Sequence, residues 1–256
     1  MTYERRYAGV GMERRGQRGP NDAFGVNAYV ALFGANLVEM WDSQLGIATV
    51  GGNVDTWTGQ LGGRVLPAPG AAQRPAYGTD GALFGSKSVV QCATSGTKVL
   101  WANNTLSSLA AAGAMPVLIV RFRLRTAAGT QRIAGFGGAG GNRSIEQLGF
   151  SATYRGGDIT VINDSSGTAV DTAVHTLINY SDASLYHVRI DGVDHTAAHT
   201  STLQAAATFG SVGVFTVDGS SSPADLSCAK ILFLGADPGG AALTACEGLL
   251  AAEYPP

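Results

Sequence analysis

The sequence predicts an all-β protein: an antiparallel sandwich with a short C-terminal helix and an extended N-terminal arm. Three observations carry that prediction. First, LYHVRIDGVDHT, residues 185–196, alternates Tyr186, Val188 and Ile190 with His187, Arg189 and Asp191, so one face is apolar and the other polar. At its centre Asp191-Gly192 supplies the residue pair that a tight hairpin turn needs at φ > 0. Second, glycine accounts for 36 of 256 residues and charged residues for only 14%, a mixture that favours turns and short strands over long helices. Third, the short runs QRIAGFGG, QLGFSATY, DITVIND and AVHTLINY follow one another between Gly-rich or Asp-Ser-Ser-Gly turns, the spacing of a sandwich or barrel.

Along the chain, residues 1–27 read as the arm, punctuated by Gly9, Gly11, Gly16, Gly19 and Pro20. Residues 28–256 read as one sandwich domain. Its first apolar segment runs to Trp41, and a Gly-rich passage, 46–63, follows, in which Val54 and Trp57 are expected to face inward. PAPGAAQRPAYG, 67–78, is a proline-rich loop, and GALFGSKSVVQC, 81–92, reads as a strand. MPVLIVRFRLRT, 115–126, is the clearest central strand. Leu118, Val120, Phe122 and Leu124 share a core face, and Arg121, Arg123 and Arg125 share a face that is wet or covered by a partner. ATFGSVGVFT, 207–216, and AKILFLG, 229–235, are the last strands. Residues 241–254 then form a helix with Leu243, Cys246, Leu249, Leu250 and Tyr254 on its apolar side.

Four of these stretches resemble the concanavalin A-like, laminin-G-like jelly-roll modules found in bacteriophage virion proteins. They are the entry with Trp41-Asp42 and Val54-Asp55-Thr56-Trp57; Arg74-Pro75-Ala76-Tyr77 with Gly81 to Gly85; the hairpin VRIDGV, 188–193; and the ending Ala229-Lys230-Ile231-Leu232-Phe233 with its helix. The resemblance implies an antiparallel jelly-roll β-sandwich, and it implies fold more than task, because such sandwiches host many functions.

The overall charge is −2, which speaks against nucleic acid or an anionic membrane as partner. It is unevenly spread. Residues 1–20 hold Arg5, Arg6, Arg14, Arg15 and Arg18 against Glu4 and Glu13, a net +3, and the rest of the chain carries −5. A basic arm on an acidic body suits docking onto a partner. Cys92, Cys228 and Cys246 lie far apart and read as free, buried thiols.

The residues carry little recognisable chemistry. Glu39 and Asp42 beside Trp41 are the nearest approach to the carboxylate pair a glycosidase needs, and they read as a solvated strand end. No GxSxG elbow occurs, and His195 and His199 follow a hairpin rather than lying on a helix, so they read as polar loop residues. Asp158, Asp164 and Asp171 are spread around Gly- and Ser-rich turns, where such residues cap their own backbone; calcium, which laminin-G-like modules can hold, is the one cofactor left open, with no ligands assigned. GFGGAGGNRS, 135–144, reads as a hairpin tip rather than a phosphate loop. Of the aromatics Trp41, Trp57, Trp101, Tyr154 and Tyr180, only Trp101, beside Asn103-Asn104, is expected to stand exposed for stacking on a glycan.

The resemblance and the charge split together lead to one expectation. It is a virion structural protein rather than an enzyme: a capsid decoration protein, made in a bacterial cytoplasm, homo-oligomeric, and held to the major capsid protein by its arginine arm. The alternative is an adhesin of a phage tail or fibre that binds a host surface glycan.

Overall fold

The computed structural model describes residues 25–92, 100–103, 117–127, 131–138, 141–148, 153–158, 161–181, 185–198, 211–214 and 225–256. Helix α1 (Val26–Phe33) is followed by β1 (Leu37–Asp42), β2 (Ile47–Val50), β3 (Asn53–Thr58), β4 (Val65–Pro67), β5 (Ala76–Thr79) and β6 (Ser88–Cys92). Then come β7 (Leu100–Asn103), β8 (Val117–Leu124), β9 (Gln131–Gly138), β10 (Gly141–Leu148), β11 (Thr153–Asp158) and β12 (Val161–Ala169). The chain continues through β13 (Val174–Ser181), β14 (Leu185–Ile190), β15 (Val193–Ala198), β16 (Ser211–Val214) and β17 (Leu226–Leu234) to helix α2 (Gly240–Glu253).

The strands form two sheets, with every pairing antiparallel. The main sheet runs β15-β14-β13-β8-β17-β6-β5-β3-β2, with β1 also on β17 and β4 on β3. The second runs β12-β11-β10-β9-β16-β7. This is the antiparallel, jelly-roll-like β-sandwich with a short C-terminal helix that the sequence predicts.

Alternation along β8 explains the layers. Leu118, Val120, Phe122 and Leu124 enter the core between the sheets, with Trp41, Val54, Trp57, Leu177, Val188, Ile231 and Phe233. Val117 and Ile119 point the other way. There they meet Tyr29 and Phe33 of α1 and Leu243, Cys246 and Leu250 of α2. The main sheet is thus covered on both faces, which is why all nine residues of β17 are buried. The arginine face is covered from within the chain at Arg121 and opens to solvent just past β8 at Arg125, whose side chain is 40% exposed. Arg121 is buried beneath α2, Arg123 lies 3.5 Å from Asp80, and Arg125 lies 3.9 Å from Asp225.

Two local expectations are corrected. Residues 81–92 are not one strand. A short 3₁₀ turn spans Leu83–Ser86, with Phe84, Gly85 and Ser86 at φ 57°, 64° and 59°, and the strand begins at Ser88. Most of the glycine-rich stretch 135–144 is paired strand, with Gly138 opposite Gly141 in the β9–β10 ladder. Helix α1 spans the residue 27/28 boundary drawn between arm and sandwich. Its Tyr29 and Val30 suit a strand as well as a helix, so a short apolar run does not decide between them.

Candidate functional site

The hairpin read from LYHVRIDGVDHT forms as expected. β14 and β15 pair Ile190 with Val193, and Asp191 and Gly192 take φ 46° and 89°, the positive pair of a type I′ turn. Its tip faces α2 across a cleft of about 310 Å³ lined by Arg121, Thr176, Asp191, Gly192, Thr244, Glu247, Gly248 and Ala251.

Two sets of contacts hold the walls. Arg189 donates to both Glu247 carboxylate oxygens at 2.8–3.1 Å and to Thr244 Oγ1 at 2.7 Å, while the Gly192 N–H donates to Glu247 Oε1 at 2.8 Å. The hairpin tip is thereby fastened to α2. Asp191 fastens it to β13, with Oδ1 accepting the Thr176 N–H at 2.8 Å and Oδ2 lying 2.6 Å from His175 Nδ1.

His175 Nε2 lies 2.8 Å from Asp171 Oδ1, so both ring nitrogens face carboxylates. Both then donate, which requires the imidazolium. Burial pushes the His175 pKa down, but hydrogen bonds to Asp191 and Asp171 outweigh it and the pKa is raised. With both nitrogens spent, this histidine has no lone pair to offer as a base or as a metal ligand.

Arg121 forms the floor. Nε and Nη2 donate to the carbonyl of Tyr254 at 3.2 and 2.8 Å, and Nη1 to Thr176 Oγ1 at 3.1 Å. Its Nη1 stands 3.9 Å from Asp191 Oδ1, beyond hydrogen-bond reach. Three of its five N–H groups are spent, and the other two have no hydrogen-bond partner among the described residues.

A second polar group is sealed under the helices. Lys230 Nζ lies 2.8 Å from Asp42 Oδ2 and 2.5 Å from Glu253 Oε2, and its side chain is wholly buried. Tyr29 donates to Glu253 at 2.9 Å, and Tyr254 donates a short bond to Asp42. Burial, and then the Asp42 charge, raise the Glu253 pKa against the lowering pull of Lys230.

The expectation of a solvated Glu39–Asp42 strand end is therefore corrected. Both side chains are buried, and they leave β1 on opposite faces. Glu39 accepts the N–H groups of Leu61, Gly62 and Arg64 at 2.9–3.2 Å, together with the Arg64 guanidinium at 3.1 Å.

The other sequence-derived residues are placed as follows. Arg5, Arg6, Arg14, Arg15 and Arg18 lie outside the described residues. Trp101 is on β7 opposite Gly213, and its side chain lies outside them too. Trp41 and Trp57 are fully buried, their indole N–H groups donating to Arg64 O and Asp42 O. Tyr154 is buried, and Tyr180 stacks on His187 at 4.2 Å. Asp171 is taken up by His175. Asp158 and Asp164 lie on β11 and β12, and their side chains fall outside the described residues. His195 Nε2 lies 3.4 Å from Thr168 Oγ1, and His199 is outside the described residues. Among the described residues no three metal-ligating side chains converge. Cys92, Cys228 and Cys246 are buried and form no disulfide, as expected.

The residues that sequence reading missed are Arg121, Asp191, Glu247 and Gly248 as a group. A glycine in mid-helix and a glutamate on the buried side of α2 were the available signals.

No protein-family model matches the chain, and no curated protein matches it. Solved structures do. Trypanosoma rangeli sialidase in complex with sialic acid superposes with a TM-score of 0.56 at 11% identity, covering 86% of this chain and 33% of that one. Domain 4 of AbnA, a GH43 extracellular arabinanase from Geobacillus stearothermophilus, in complex with arabinotriose, superposes with a TM-score of 0.58 at 9% identity, covering 82% of this chain and 97% of the domain. The chain thus spans about a third of the sialidase and nearly all of the arabinanase domain. These matches correct the expectation that the protein is not an enzyme: solved glycosidase structures share this fold.

Proposed function

We propose that the chain is a carbohydrate-binding sandwich that takes a glycan in the cleft between the β14–β15 hairpin tip and α2. The observation that carries this reading is the match over 97% of an arabinanase domain that itself holds arabinotriose. The cleft supports it, since buried and rim groups supply both donors and acceptors, the mixture that sugar hydroxyls require. A glycan array with the full chain, and with Gly248→Phe to fill the cleft, tests the reading. Binding by the native chain that the variant loses, at unchanged Tm, is expected. Binding that survives the variant moves the site elsewhere, with Trp101 the next residue to replace. Released sugar in the same incubations would make the chain a hydrolase.

A second reading, attachment to a virion, is favoured by the +3 charge of residues 1–20 against the −5 of the remainder. In that setting the arginines Arg5, Arg6, Arg14, Arg15 and Arg18 anchor the chain to a capsid or tail protein, and the sandwich faces outward. Deleting residues 1–20 abolishes co-purification with particles if this holds, and leaves it unchanged if it does not.

A further inference from the structure

We infer that the cleft selects a neutral sugar, gripped through a hydroxyl that bridges Arg121 and Asp191, and not a sugar acid. The inference rests on the glycan-binding reading and narrows it to a ligand class.

The first ground is charge balance. Arg121, Asp191 and Glu247 line the cleft, and Arg189, just outside the lining, neutralises Glu247 through its ion pair, which leaves Arg121 facing Asp191. Behind Asp191, the His175 imidazolium is offset by Asp171. With these pairs counted the site carries no net charge, and most of its accessible surface is apolar, as a sugar ring's C–H face requires. A carboxylate entering it gains from Arg121 and is repelled by Asp191, whose side chain is 45% exposed. An ammonium meets the reverse problem.

The second ground is the gap. Arg121 Nη1 and Asp191 Oδ1 are 3.9 Å apart, too far for a direct bond. An oxygen about 2.8 Å from each, an ordinary bond length, spans that gap at close to a right angle. Such an oxygen must accept from a guanidinium and donate to a carboxylate at once. A hydroxyl does both, whereas a carboxylate or sulfate oxygen only accepts.

The third ground is the shape of the walls. Gly192 and Gly248 carry no side chain, and a Cβ added at Gly248 would meet nothing within 4 Å. A glycine costs about 1 kcal/mol relative to alanine inside a helix, yet one stands at the cleft wall of α2. It leaves open the space that a sugar ring would fill. At about 310 Å³ the cleft is at the small end of ligand pockets, about 300–1,000 Å³, and holds a short piece of glycan.

The test is calorimetric titration of the full chain with arabinotriose and other neutral trisaccharides, and in parallel with sialyllactose and a galacturonate trimer. Neutral ligands are expected to bind at least about tenfold more tightly than acidic ones, with an affinity indifferent to salt between 50 and 500 mM. Asp191→Asn keeps a residue suited to positive φ and a carbonyl for the Thr176 N–H, but removes the charge. It is expected to weaken neutral ligands about 10- to 100-fold, the scale of a lost hydrogen bond to a charged group, and to narrow the preference over acids. Gly248→Phe abolishes both at unchanged Tm. Tighter, salt-sensitive binding of the acidic ligands overturns this inference and leaves glycan binding standing. Absence of binding to any glycan overturns both. Neutral binding that survives Gly248→Phe and Asp191→Asn keeps the glycan reading and removes it from this cleft.

Discussion

The ammonium of Lys230 lies 2.8 Å from the carboxylate of Asp42 in a position with no solvent exposure, between the central strand and the two helices. With Glu253 on its other side, one buried cation serves two buried carboxylates. Removing one partner of such a group leaves charge uncompensated in a low-dielectric site. Lys230→Met is expected to lose about 3–5 kcal/mol of stability in urea denaturation. The Glu253 pKa, already raised, goes higher without Lys230, so the variant regains part of the loss as the pH falls and Glu253 protonates. A loss that does not vary with pH would show that the carboxylates relax into water instead.

His175 provides a second pH dependence. Its pKa is raised in the folded chain, so the stability it contributes is fully present below the unfolded value of about 6.5. That contribution is lost as the pH rises through the higher folded value. The Tm difference between the native chain and His175→Gln is expected to be largest near pH 6 and to shrink toward pH 9. A difference that grows with pH would mean that the clamped ring is neutral.

Gly192 sits at φ 89°, and an added Cβ would touch only Glu247 Oε2, at an ordinary 3.9 Å. The obstacle to substitution is conformational rather than steric. Gly192→Ala is expected to cost about 1–2 kcal/mol, the penalty of a left-handed alanine, while Asp191→Asn leaves the turn itself intact. Thermal unfolding of the two variants side by side separates turn geometry from the loss of the His175 partner.

Glu39 organises the loop after β3 by accepting three of its backbone N–H groups. Glu39→Ala strands those donors and removes the Arg64 partner. Hydrogen exchange at the amides of Leu61, Gly62 and Arg64 is expected to accelerate about tenfold or more, with β17 amides affected far less. Equal acceleration in both would point to global destabilisation.

What was legible in the sequence depended on the range of the physics. The hairpin at 185–196 and the core face of β8 could be read because period-two alternation and Asp-Gly turn chemistry are local. The turn at Phe84–Ser86 could not, because a phenylalanine at positive φ persists only where the surrounding fold imposes it. The burial of Glu39, Asp42, Lys230 and Glu253 was equally hidden: charged residues sit at the surface unless paired, and their partners come from distant strands and a helix. The cleft depends on the same long-range joining. Arg121, Asp191 and Glu247 are unremarkable singly and meet only when β8, the β14–β15 turn and α2 are assembled.

The position of β17 governs how the molecule must come into being. It is the last strand along the chain, yet it lies between β8 on one side and β6 and β1 on the other. Until residues 226–234 leave the ribosome, the main sheet is two separate ladders and an unpaired β1, each with a bare edge whose amides have nowhere to pair. Leu37 must wait for Leu234, so the closing step spans most of the chain and is slow. A nascent chain, or one clipped before β17, is a set of sticky sheet fragments rather than a smaller version of the protein, and chaperone capture or aggregation competes with completion until that strand arrives.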